Sequence, residues 1–171
     1  MEPEFLHIQW EGPFDFAHIT TLNNPAADRG IYQVYGRYPV YGEGALLYIG
    51  QTRRTFATRL QEEGWQIWQT SEGTVQFYVG RLSGALTPNE QEWHKQIVRV
   101  ERLLIFAHCP ARNAKGLYGL GGEGMNSLHV PNWGTRGRLL PEVSGARWSN
   151  HFSVIPGYAA YGEHGERKEL D

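Results

Sequence analysis

The sequence predicts a single α/β domain with a β-β-α-β-α core and an irregular C-terminal extension. Three observations carry that expectation. Two runs rich in β-branched, aromatic and aliphatic residues, 30–36 and 45–50, flank a turn-rich stretch holding Pro39, Gly42 and Gly44, the pattern of a β-hairpin with a longer loop. Two apolar stripes at helical spacing follow, with an alternating run between them. The 171 residues are 40% hydrophobic and 13% aromatic, which suits one packed domain of ordinary size.

Each element has a local reason. Between Thr55 and about Gln69, the residues Phe56, Leu60, Ile67 and Trp68 approximate helical spacing, with Gly64 weakening the middle. Residues 74–80 alternate apolar and polar as a third strand. Thr87-Pro88-Asn89-Glu90 reads as a helix start, with Thr87 as N-cap, Pro88 in the first helical position and Glu90 completing a capping box. Trp93, Ile97, Val100 and Leu104 form the stripe of a long helix running to about His108. After Pro110 the texture changes to Gly, Asn, Pro and short apolar pieces. Residues 114–161 therefore read as an irregular extension packed on the core. Acidic segments, 1–28 and 162–171, lie at the two ends, the second as a solvated tail.

Composition excludes several classes. No run of 18 apolar residues spans a bilayer, and the start Met1-Glu2-Pro3-Glu4 carries acids where a signal peptide needs a basic region. Cys109 stands alone, so no internal disulfide and no structural-zinc spacing exists. A reducing, cytoplasmic compartment is expected.

The formal net charge of -2 hides a gradient. Residues 1–28 hold five acids and no Lys or Arg, and residues 162–171 hold four acids against Arg167 and Lys168. That leaves 14 basic and 9 acidic residues between 29 and 161, a balance of +5. Of the 16 cations 13 are Arg, whose planar fork suits phosphate oxygens and whose face stacks on bases. A simple preference for Arg as surface cation gives the same count.

The sharpest single feature is Glu101, four residues after Ile97 and three before Leu104. A carboxylate on the apolar stripe of a helix is costly unless it is paired or holds a metal ion. Glu101 is thus a site candidate, with a salt bridge to Arg99 or Arg102, or a stripe rotated enough to leave it at the boundary, as the alternative. Tyr32 and Tyr48 fall on the two hairpin runs, where ordinary strand packing also favours tyrosine.

Gly30-Ile31-Tyr32, then Tyr48-Ile49-Gly50, then Arg59, Glu101 and Asn113 together resemble the GIY-YIG nucleases over about residues 29–113. The resemblance implies a small three-stranded antiparallel sheet flanked by helices, with an active site on one face. It also implies roles. Glu101 would be the sole protein ligand of Mg²⁺ or Mn²⁺, hard ions that accept carboxylate oxygen and keep most of their water. Arg59 would hold a non-bridging phosphate oxygen as charge builds. Tyr32 and Tyr48 would orient the attacking water, with Tyr32 favoured as general base. Asn113 would orient site groups, while Gly30 and Gly50 belong to the structural motif, Gly50 allowing close packing at the strand end. Where many relatives carry a His one turn after the Arg, this chain has Glu63. The base is then Tyr32 unaided, or His94, His108 or His129 reaching in, or catalysis is impaired. The lysine that some relatives have after the second motif is replaced by Gln51, with Arg53 and Arg54 following as alternative sources of charge on nucleic acid.

Gly119-Leu120-Gly121-Gly122-Glu123-Gly124 satisfies the dinucleotide fingerprint, yet no strand leads into it and Pro131 stops any helix soon after. A flexible loop is the better reading, with contact to substrate as a further option. Specificity needs groups that reach bases. Arg136, Arg138 and Arg147, with Asn132 and Trp133, are the residues of the extension suited to that work. A lid completing the core is the alternative. Two function classes follow: a compact endonuclease acting on DNA, as a homodimer or by sequential nicking if both strands are cut, or a catalytically impaired nucleic-acid-binding or partner-binding module.

Overall fold

A computed structural model describes residues 2–62, 74–84 and 89–148, and the backbone of 160–161 and 167–168. The elements in chain order are β1 (Glu4–Phe5), β2 (His7–Phe14), α1 (Phe16–Ile19), β3 (Gly30–Tyr38), β4 (Gly42–Thr52), α2 (Phe56–Glu62), β5 (Gln76–Ser83), α3 (Glu90–His108), β6 (Leu128–Gly134) and β7 (Glu142–Ser144). Two-residue strands β8 (Ala160–Tyr161) and β9 (Arg167–Lys168) pair with each other.

The hairpin expected at 30–50 is present as antiparallel β3 and β4, with Tyr32 opposite Gly50 and Val34 opposite Tyr48. The helix expected from Thr55 begins at Phe56, with the Thr55 hydroxyl accepting from the Thr58 amide; its continuation past Glu62 lies outside the described residues. The third strand starts later and runs further than expected. α3 ends at His108 as its stripe predicts, but its N-cap is Asn89, whose side chain accepts from the Glu92 amide at 2.9 Å. Thr87 and Pro88 lie outside the described residues.

The expected small three-stranded sheet flanked by helices is not the architecture. The main sheet is mixed and seven-stranded, curled into a half-barrel. β3 sits between β4 and β5, and β5 continues outward, antiparallel, to β2. β1 and β2 both run parallel to β6 in one register, Glu4 opposite Leu128 and Ile8 opposite Asn132, so residues 4–14 act as one interrupted strand. β7 closes the far side of β6. The reason is that β5 as an edge would leave a row of unpaired amides and carbonyls. The alternating burial of Ile8 and Trp10 against exposed Gln9 and Glu11 makes 7–14 a strand suited to that edge. The extension, expected to be irregular, supplies β6, with Leu128, Val130 and Asn132 buried.

Two apolar clusters lie on opposite faces of β3. Ile31 and Ile49 pack with Trp93, Ile97, Val100 and Leu104 of α3. Tyr32 and Val34 pack with Phe56 and Leu60 of α2. Alternation along the strands puts consecutive residues into different layers. Among the described residues, no helix is long and apolar enough to cross a membrane.

Candidate active site

The chain brings the five expected site residues to one end of the β3–β4 hairpin. Tyr32 and Tyr48 stack with ring centroids 6.2 Å apart. Gly50 makes that possible: a Cβ there would stand 2.6 Å from the Tyr32 hydroxyl and 2.7 Å from Tyr48 Cε1, a separation no side chain tolerates. Gly30 is equally constrained, with φ of +145° and the Gly80 carbonyl where a Cβ would sit. From α2, Arg59 Nε donates to the Tyr32 hydroxyl at 3.4 Å.

Glu101 approaches from α3. Burial pushes its carboxyl up to about 7, against the opposing pull of the Gln51 backbone amide and the Arg59 guanidinium. The salt bridges considered for it go elsewhere: Arg99 pairs with Glu4 at 2.7 Å and Arg102 donates to the Gly121 carbonyl. Asn113, 8% exposed, uses both ends of its amide on one residue, accepting from Ile49 N at 3.0 Å and donating to Ile49 O at 2.9 Å. Since β4 is the sheet's edge, this clamp satisfies backbone between Tyr48 and Gly50 that would otherwise be unpaired. Ala111 and Arg112 amides extend it onto Leu46 and Leu47.

Tyr48, Glu101 and Asn113 line an open cleft of about 980 Å³ together with Arg102, Arg112 and Lys115. Tyr32 and Arg59 do not line it, and Tyr32 is 0% exposed. Of the three cations around the carboxylate, the sequence singles out Arg102 alone, as a salt-bridge partner for Glu101, and not Arg112 or Lys115. Arg112 and Lys115 reach the cleft because Cys109 ends α3 in the left-handed conformation (φ 45°) and the chain returns along β4.

The other candidates lie apart from this cleft. Arg54 pairs with Glu62 at 2.6 Å and Arg53 lies 3.8 Å from Glu90. Arg136 Nε bonds the Leu139 carbonyl, and the Arg138 amide donates to the Tyr35 hydroxyl. Burial pushes that phenol up to about 12. Arg147 lies in the short helical turn Gly145–Trp148, and Trp133 Nε1 donates to His7 Nδ1 while Asn132 accepts from Trp10 Nε1. In the Gly-rich loop the Gly121 carbonyl accepts from Arg102 and the Gly124 carbonyl from Arg99, and Gly119 and Gly121 line the cleft.

None of the three histidines sits beside Tyr32. His108 Nδ1 donates to Leu104 O while Nε2 accepts from the Leu140 amide, a neutral structural link whose burial holds its pKa below the ordinary value. His129 is on β6, three strand spacings or about 14 Å from β3. His94 precedes Glu101 by seven residues, about 10 Å along the helix. Glu63 lies outside the described residues.

The donor set suits a hard, hydrated cation. Glu101 lines the open cleft, and among the described residues no group of three or more His, Cys, Asp or Glu converges. One carboxylate with water access fits Mg²⁺ or Mn²⁺, hard ions that keep most of their water.

No protein-family model matches the chain, and neither a curated protein nor a solved structure is similar to it at a significant level.

Proposed function

We propose that the chain is a divalent-metal-dependent endonuclease of GIY-YIG type that hydrolyses DNA phosphodiester bonds in the cytoplasm. The observation that carries this reading is the convergence of Tyr32, Tyr48, Arg59 and Glu101, from four separate elements, beside a cleft in which cations outnumber carboxylates. Glu101 would hold a Mg²⁺ or Mn²⁺ ion, which would polarise the scissile phosphate and stabilise the departing oxygen. Arg59 binds a non-bridging phosphate oxygen and stabilises the charge that develops on it. Its Nε also lies 3.4 Å from the Tyr32 hydroxyl, so that its positive charge faces the oxygen that would act as base. Tyr32 then takes the proton of the attacking water, and Tyr48, on the cleft wall, orients that water. Asn113 acts through the backbone, fixing the strand that carries Tyr48.

The full burial of Tyr32 favours a second reading, a nucleic-acid-binding or partner-binding module with impaired catalysis. Incubation with plasmid and single-stranded DNA in Mg²⁺, Mn²⁺ or EDTA separates the two. Metal-dependent cleavage supports the nuclease; tight binding without cleavage supports the module.

A further inference from the structure

Tyr118 is 95% exposed, an unusual position for a large aromatic ring. Its exposure is imposed by its neighbours. Leu117 and Leu120 pack against the core cluster under α3, and Arg102 bonds the Gly121 carbonyl, so the loop is anchored on both sides of the ring. Tyr118 belongs to the cleft that holds Glu101, as do Arg102, Arg112 and Lys115, all three exposed. The Arg112 guanidinium also lies 5.7 Å from the Tyr38 ring, which stacks on exposed Tyr41 at 5.3 Å. Cations interleaved with solvent-facing rings are what a nucleic-acid strand with unstacked bases requires: phosphates take the cations and base faces take the rings. A fully paired duplex offers no free base face.

Resting on the nuclease reading, we infer that this cleft binds a single-stranded segment of the substrate, with Arg102, Arg112 and Lys115 on its phosphates and Tyr118 stacked on an unpaired base. The cleft thereby directs Glu101 to DNA that is single-stranded or locally opened, such as a flap or bubble. None of these four groups is required for the packing of the two tyrosines against Gly50, so recognition and catalysis are separable.

The test is fluorescence anisotropy in EDTA, where no cleavage occurs, with a single-stranded oligonucleotide, the same sequence fully paired, and a duplex with a central bubble. The wild-type chain should bind single strand and bubble about tenfold more tightly than duplex. Tyr118→Ala should lose that preference and leave duplex binding unchanged, while Tyr118→Trp keeps it. Arg112→Ala with Lys115→Ala should reduce the slope of log K against log salt on single strands by about 1.4. Thermal melting checks that the exposed substitutions leave folding intact. Equal affinity of wild type for single strand and duplex, or a preference unchanged in Tyr118→Ala, overturns the inference while leaving the nuclease reading standing. Failure of the wild-type chain to bind any of the three DNAs overturns both.

Discussion

The rim of the cleft and the layer behind it are built on different principles. The inner layer, Tyr32, Tyr48, Gly50 and Arg59, of which Tyr48 lines the cleft, is close-packed: two stacked rings fill the space a single Cβ would need. The outer side, Arg102, Arg112, Lys115 and Tyr118, is exposed, on a loop anchored by Leu117 and Leu120 and by the Arg102 bond to the Gly121 carbonyl. Packing leaves one arrangement for the inner groups, as proton and phosphate chemistry demands. The outer groups are exposed to solvent, as the proposed contact with a single strand requires. Substitutions inside should therefore disturb stability and turnover together, whereas those outside should change binding alone.

The largest contrast is expected at Arg59. Arg59→Ala should lower the single-turnover cleavage rate by about 10²–10³-fold, while Arg112→Ala at saturating DNA should leave that rate unchanged; equal effects would erase the distinction. Gly50→Ala should destabilise the chain by about 3 kcal/mol in chemical denaturation, because neither tyrosine can retreat without unstacking. Glu101 gives a pH signature. With its carboxyl raised from 4.5 to about 7, the folded chain keeps a proton in that window that the unfolded chain has lost. Stability from this group is therefore greatest below 4.5 and falls as pH rises through 7. Glu101→Gln should make the chain more stable by about 2 kcal/mol near pH 8 without metal, with the gap closing near pH 4. Asn113→Ala, which strands the Ile49 amide and carbonyl, should cost about 1–2 kcal/mol. Gly121→Ala on the outer side, where a Cβ meets nothing within 4 Å, should stay within about 0.5 kcal/mol of wild type.

The inner side was legible because its constraints are local. The hairpin announces itself through β-branched and aromatic runs, and Glu101 through its conflict with the stripe around it. What the sequence hid depends on contacts between distant segments. Residues 7–14 looked like an acidic flank, yet Ile8 and Trp10 make them an inner strand. The acids of the 1–28 flank also neutralise cations of the basic middle: Glu11 and Asp28 both meet Arg81 at 2.8 Å, and Glu4 meets Arg99. The +5 balance therefore overstated the free charge. β6 was masked by Pro131, Asn132 and Gly134, residues rare in strands, of which Asn132 is kept by a hydrogen bond to Trp10. Arg112 and Lys115 carried no periodic signal, since their place depends on the turn at Cys109, a left-handed residue that is not glycine.

Single-turnover cleavage of DNA in Mg²⁺ by the wild-type chain and by Glu101→Gln, matched in shape and differing by one oxygen for nitrogen, tests the central claim most directly. The account predicts metal-dependent cutting by the wild type and a loss of at least about 10³-fold in the variant. Equal rates, or cutting that persists in EDTA, would contradict it.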